Sequence, residues 1–137
     1  MKYYLDTNIF LYSANPNDLH HKSCKRVLEL IAKGELETLT STLTFEEIIF
    51  YAQKSNNVQG GLKICKWMML SRTTKADLSS QTIEEFFGLV DKYPKIRSAD
   101  LIHAATCVSN GVRVIISVDR DFDKIKEIRR IDPADFP

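Results

Sequence analysis

A three-layer α/β/α sandwich around a central, mainly parallel sheet is the fold that this 137-residue sequence predicts. Three observations carry that expectation. Short β-like runs alternate with stretches of helical periodicity, which implies right-handed crossovers. The run VRVIISV at 112–118 is continuous enough to be buried on both faces, as strands of parallel sheets are. With 44% hydrophobic and 27% charged residues, a chain of this length buries one real core, so a single domain over 1–137 is expected.

Taken in order, KYYLD at 2–6 reads as the first strand, and Asn15-Pro16-Asn17-Asp18 punctuates before a helix over 19–33 that Gly34 ends. A short β-like run follows at 37–41 (ETLTS). TFEEIIFYAQKS places Phe45, Ile48, Ile49 and Ala52 on one helical face up to the Asn56-Asn57 break. VQGGLKICKWMMLS is a further helix, with Gly60-Gly61 in its first turn. Residues 80–93 form another, which Pro94 stops. A helix over 98–110 closes at Gly111, and the buried strand at 112–118 follows. A short helix around 122–126 and a last strand at 128–131 complete the pattern. No internal repeat, low-complexity tract or linker interrupts it.

Composition narrows the function. Nineteen Lys and Arg balance eighteen Asp and Glu, so no global field argues for nucleic acid or membrane, and any such partner must be read locally. Cys24, Cys65 and Cys107 stand singly with no CxxC pair, which suits a reducing cytosol better than a disulfide scaffold or zinc knuckle. The amino-terminal run meets Asp6 too early for a signal peptide, and no apolar stretch approaches the roughly 20 residues that span a bilayer. A cytoplasmic protein without membrane contact is the expectation.

Carboxylates are the informative feature. Ligands of parallel sheets bind outside the carboxyl ends of the strands, and acids recur at those places. Asp6 ends the first strand with Thr7 and Asn8 beside it, although an aspartate there also caps a following helix or turn. Glu46 and Glu47 open the helix after the second strand, where only one can face inward and where acids commonly serve the helix dipole. Asp100 lies two residues after Ser98, read as the N-cap of its helix, and Leu101, Ala104, Ala105 and Val108 form that helix's docking face. His103, one turn beyond Asp100, is expected to be a hydrogen-bonded helix residue rather than a metal ligand. Asp119 stands just past the buried strand, with Asp121 and Asp123 in the turn that follows. Clustered carboxylates repel unless a cation sits among them, and oxygen ligands without Cys or His select hard ions such as Mg²⁺ or Mn²⁺. Such a centre hydrolyses phosphodiesters without a serine or cysteine nucleophile.

LDTNI at the start, S-x-x-x-x-E-E after the second strand, the S-A-D-L-x-H-A-A helix and S-V-D-R-D-F after the buried strand together resemble the PIN-domain ribonucleases, in order and spacing, over nearly the whole chain. The small size is similar to the VapC-type toxins of toxin–antitoxin pairs. The resemblance implies Asp6, Glu47, Asp100 and Asp119 as catalytic, metal-holding acids, with Glu46 as a rival to Glu47. Asn8, Ser117 and Asp121 would support them; Ser117 stands where the family more often has threonine. It further implies a Mg²⁺- or Mn²⁺-dependent endoribonuclease acting on RNA, a homodimer, and a small antitoxin protein that holds the toxin inactive.

Arg97 and Arg120 lie beside these acids and are expected to contact phosphate or balance the cluster. The acid-free segment 48–76 carries Lys54, Lys63, Lys66, Arg72 and Lys75 with Tyr51 and Trp67, a candidate RNA groove. Its run Trp67-Met68-Met69-Leu70 is better read as core or dimer interface. Two other functions compete with the nuclease. An aspartyl-nucleophile phosphatase also opens with an Asp after its first strand, but wants a second Asp where this chain has Asn8. A non-catalytic module binding RNA or a partner on a relict site would keep the metal without turnover.

Overall fold

The computed structural model describes residues 1–137. Five strands, β1 (Lys2–Leu5), β2 (Glu37–Ser41), β3 (Thr74–Ala76), β4 (Val114–Ile116) and β5 (Arg129–Ile131), form one sheet in the order β3-β2-β1-β4-β5. Every neighbouring pair is parallel, with Tyr4 opposite Leu39 on one side and Ile115 on the other. Six helices cover it: α1 (Thr7–Ser13), α2 (His21–Ala32), α3 (Leu43–Lys54), α4 (Val58–Leu70), α5 (Ser80–Lys92) and α6 (Ser98–Ser109). This is the predicted α/β sandwich. No helix is long and apolar enough to cross a membrane.

Strand pleating sorts side chains between two cores, one on each face of the sheet. Tyr4, Leu39 and Ile115 point to one face and pack with Leu89 of α5 and with Leu101, Ala104 and Ala105 of α6. Leu5 and Ile116, one residue further along, point to the other face among Ile9 and Phe10 of α1, Val27 and Ile31 of α2, Ile48 of α3 and Met68 of α4. A strand covered on both faces is apolar throughout, which is why Val114, Ile115 and Ile116 of β4 are all apolar and all buried.

Chain reversals follow local chemistry. Gly34 and Gly111 take φ of 75° and 69° after α2 and α6, and the amides of Glu35 and Val112 bond the carbonyls of Leu30 and Cys107 at 2.9 Å each. Both are Schellman caps, which favour glycine in the left-handed position. Asn56, at φ 53°, separates α3 from α4. A β-carbon on Gly61 would lie 2.5 Å from that of Ala52, so the bare backbone lets α4 press against α3.

Several expectations need correction. The segment after Asp6 was assigned no element, yet Thr7–Ser13 is helical because Asp6 accepts a bond from the Thr7 amide at 2.8 Å and Ile9 and Phe10 are buried. The helix expected over 19–33 starts only at His21, since residues 15–20 fold into turns. β3 went unpredicted; three residues carry too little periodicity to read. The strand at 112–118 pairs only over Val114–Ile116, and the helix expected at 122–126 is a 3₁₀ turn at Arg120–Lys124. Ser98 is the first helical residue rather than the N-cap, a place taken by Arg97 without a side-chain bond. Of the run 67–70 only Met68 is in the core, while Met69 and Leu70 are 61% and 90% exposed.

Candidate active site

The order β3-β2-β1-β4-β5 reverses direction between β1 and β4, so their carboxyl ends flank the crevice where ligands of such sheets bind. A cleft of about 900 Å³ opens there, and Asp6, Glu47, Asp119, Asn8 and Arg97 are among its lining residues. Asp6 follows β1, Glu47 sits in the second turn of α3 after β2, and Asp119 follows β4. Asp100, in the first turn of α6, is buried and reaches the same place through Arg97.

Asp6 is both cap and site residue. Its Oδ1 accepts the Thr7 amide and its Oδ2 accepts the Ser117 hydroxyl at 2.6 Å. The same Ser117 oxygen accepts the Asp119 amide at 3.0 Å and the Asn8 side-chain amide at 3.4 Å. One hydroxyl therefore fixes the ends of both central strands. Burial raises the Asp6 pKa, with the nearby Asp100 charge adding to it against the pull of His103 and Ser117.

Of the two glutamates, Glu47 faces inward and Glu46 is exposed. Glu47 Oε1 accepts bonds from Thr7 Oγ1 at 2.7 Å and His103 Nε2 at 2.6 Å, while Oε2 lies 3.8 Å from the Arg97 guanidinium. Burial works to raise its pKa, but the hydrogen bonds from His103 and Thr7 with the charges of His103 and Arg97 outweigh it and hold the carboxyl below its ordinary value. His103 is buried and bonded, as its helical position suggested. Its Nδ1 meets the Tyr4 hydroxyl at 2.5 Å, and that hydroxyl accepts the Ser41 amide at 3.1 Å. Burial lowers the imidazole pKa, yet the bond to Glu47 and the Asp6 charge raise it on balance.

Asp100 Oδ1 accepts Arg97 Nη2 at 2.9 Å. Its pKa is nonetheless raised, because burial outweighs that partner and the Asp119 charge opposes ionisation further. One carboxylate oxygen each from Asp100, Asp119 and Asp121 falls within 4.8 Å of the others, the spacing of a group able to share an ion. Asp121 also bonds Asp119 directly, its amide donating to Asp119 Oδ1 at 2.9 Å, and its carboxylate pairs with Lys124. Arg120 is exposed and does not line the cleft. None of the lysines of segment 48–76 lines it either; from that segment Tyr51 does, while Trp67 and Lys63 border a separate apolar groove. Thr7, expected to brace Asp6, does so through its amide and braces Glu47 as well through its hydroxyl; the residue that sequence reasoning missed is Tyr4, whose hydroxyl meets His103, because an apolar strand offers no signal that one of its tyrosines turns a polar tip toward a site.

The donor set fits a hard divalent cation. All candidate ligands are oxygens, two buried carboxyls have pKa values raised by burial, and Asn8 Oδ1 is buried in the cleft wall with no hydrogen-bond partner. His103 is committed through both ring nitrogens and offers none.

A doubly covered parallel sheet with carboxylates gathered at its switch point defines an α/β protein with an acidic cleft. The PIN domain model matches residues 3–128, and the chain belongs to that family. Among solved structures, VapBC2 from Rickettsia felis, bound to a DNA fragment from its promoter, is similar at 22% identity and TM-score 0.76, covering 96% of this chain and 98% of that one. VapC20 of Mycobacterium tuberculosis, a Sarcin-Ricin loop cleaving toxin, gives 15% identity and TM-score 0.77 over 93% and 98%. A toxin–antitoxin complex from Klebsiella pneumoniae gives 24% and 0.66 over 95% and 96%. At these identities the likeness is one of fold. No curated protein gives a significant sequence match.

Proposed function

We propose that this chain, as one domain over 1–137, is a Mg²⁺- or Mn²⁺-dependent endoribonuclease and the toxin of a toxin–antitoxin pair, a cytoplasmic homodimer restrained by a small antitoxin protein. The observation that carries the reading is the meeting of Asp6, Glu47 and Asp119 in one cleft, with Asp100 of a fourth element held beside them through Arg97 and Asp119. Family membership and the fold shared with toxin–antitoxin structures support the assignment.

Asp6, Asp100 and Asp119, with Asp121 beside them and Glu47 opposite, would hold the cation. A divalent ion so bound supplies hydroxide near neutral pH and neutralises charge on the phosphoryl oxygens. The protein's own groups do the rest. Ser117 and Thr7 keep both Asp6 oxygens oriented. His103 and Thr7 occupy Glu47 Oε1, which leaves Oε2 to accept a hydrogen bond from water. Arg97, half exposed at the cleft edge, presents a guanidinium fork suited to a phosphate.

The test is cleavage of a mixed RNA pool by purified protein with Mn²⁺, with EDTA, and with Asp100→Asn. Removing a ligand to the charge-stabilising ion is expected to cost about a thousandfold or more in rate. Cleavage indifferent to both EDTA and Asp100→Asn would sink the proposal. Metal binding without turnover would instead favour a non-catalytic module.

A further inference from the structure

We propose that the part of the cleft beyond the carboxylates is a nucleobase site, which takes one unpaired base of a single-stranded RNA against the rings of Tyr12 and Tyr51. It rests on the nuclease reading of the same cleft and adds to it the wall that would hold a base. At about 900 Å³, the cleft is large for an ion and a phosphate and lies near the upper end of small-molecule sites. Away from the acids its lining is neutral and aromatic: Tyr12, His20 and Tyr51, with the amides of Asn15 and Asn57. Arg97 is the only lysine or arginine in the whole lining, so this wall is not built to follow a phosphate backbone. Aromatic faces with amide edges are the chemistry that holds an unstacked base.

Geometry links this wall to the acids. Tyr51 follows Glu47 by four residues on α3, and Tyr12 follows Asn8 by four on α1, so each ring lies on the same helical face as a residue of the acid site, one turn of about 5.4 Å along. A base and its own phosphate are separated by a distance of the same order. Tyr12 is backed by His20, with ring centroids 5.5 Å apart and planes 31° from parallel. No hydrogen bond within the protein engages the side-chain N–H groups of Asn15 and Asn57, which leaves them to read a base edge while the tyrosine rings supply the faces. A paired base inside a duplex is not accessible to such a wall; an unpaired one is.

The test measures binding apart from cleavage. In the wild-type chain with Ca²⁺ in place of Mn²⁺, an ion that takes the same oxygen ligands but activates water less, short fluorescent single-stranded oligoribonucleotides are titrated by anisotropy. Tyr12→Ala and Tyr51→Ala are expected to weaken binding about tenfold each, the loss of a base–aromatic stack, while Tyr12→Phe and Tyr51→Phe stay within about twofold. Scanning an abasic nucleotide through the oligonucleotide should weaken the parent at one position by a similar factor, and this readout needs no change in the cleft. A parent indifferent to every abasic position, Ala variants that bind as the parent does, or a parent that binds no oligonucleotide would each overturn the site. Wild-type cleavage is scored separately. RNA cut by wild type, with binding blind to both tyrosines, removes the base site and leaves the nuclease; base-dependent binding with no cleavage keeps the base site and removes the nuclease.

Discussion

Two halves of the acid site differ in how their charge is met. On one side, Asp6 and Glu47 are enclosed by Thr7, Ser117 and His103, and every carboxylate oxygen but Glu47 Oε2 has a short hydrogen bond. On the other, Asp100, Asp119 and Asp121 crowd within 4.8 Å with Arg97 as the cationic partner of Asp100 and a surface lysine on Asp121. The first half is organised by the fold itself. The second carries repulsion that the fold only partly offsets, and such repulsion is relieved by a bound cation.

The largest effect that separates the halves is metal-induced stabilisation. A ligand bound only by the folded state at roughly 100 times its dissociation constant adds about 2.7 kcal/mol, or about 5–10 °C in melting temperature for a chain of this size. Mn²⁺ is expected to produce that shift in wild type and to lose most of it in Asp119→Asn. Equal shifts in both would place the ion elsewhere.

Next comes the enclosed half. His103→Leu takes one of two partners from the Tyr4 hydroxyl, which keeps the Ser41 amide, and one of two from Glu47 Oε1, which keeps Thr7, so a loss of about 1 kcal/mol per removed bond is expected. Urea denaturation in EDTA measures it. A variant as stable as wild type would mean that the relay of Tyr4, His103 and Glu47 does not hold the elements together.

Smaller is the pH dependence of the metal-free protein, in which Glu47 opposes in sign both its neighbour Asp6 and Asp100 of the other half. Asp6 and Asp100 have folded pKa values raised above the unfolded ones, so their stabilising contribution is present at low pH and lost as pH rises through the raised values. Glu47 has a lowered value, and its contribution is present above the ordinary glutamate range and lost as pH falls through that lowered value. Melting curves in EDTA from about pH 4 to pH 7 should therefore show Asp100→Asn losing less stability than wild type on the way up. A steeper loss in the mutant would contradict the assigned directions. Least of all, exposed Glu46→Gln is expected to stay within about 0.5 kcal/mol of wild type in the same melts.

Much of this was legible before any coordinates. β2 matches its expected range at 37–41, α3, α4, α5 and α6 fall within a residue or so at each end, and Gly34 and Gly111 close their helices as read. Those segments are long or strongly periodic, or end in residues with one conformational use. α1 hid because TNIFLYS is short and rich in residues that suit a strand; a cap from Asp6 and tertiary burial make it helical. Asp6 and Asp119 were visible because an aspartate at a strand end is unusual, and Glu47 and Asp100, ordinary acids of opening helical turns taken singly, because they recur with them in a set of motifs. Tyr4, the bond from Thr7 to Glu47 and the pairing of His103 with Glu47 were not, since such contacts join residues 40 to 99 positions apart that no window of sequence brings together.

The scarcity of basic side chains in the cleft sets an order of events. With Arg97 the lone lysine or arginine facing Asp6, Glu47 and Asp119, an approaching polyanion meets a like-signed mouth until a cation has entered. For the proposed nuclease, assembly would then be sequential, ion first and nucleic acid second, and the free metal concentration would gate substrate capture as well as the chemical step.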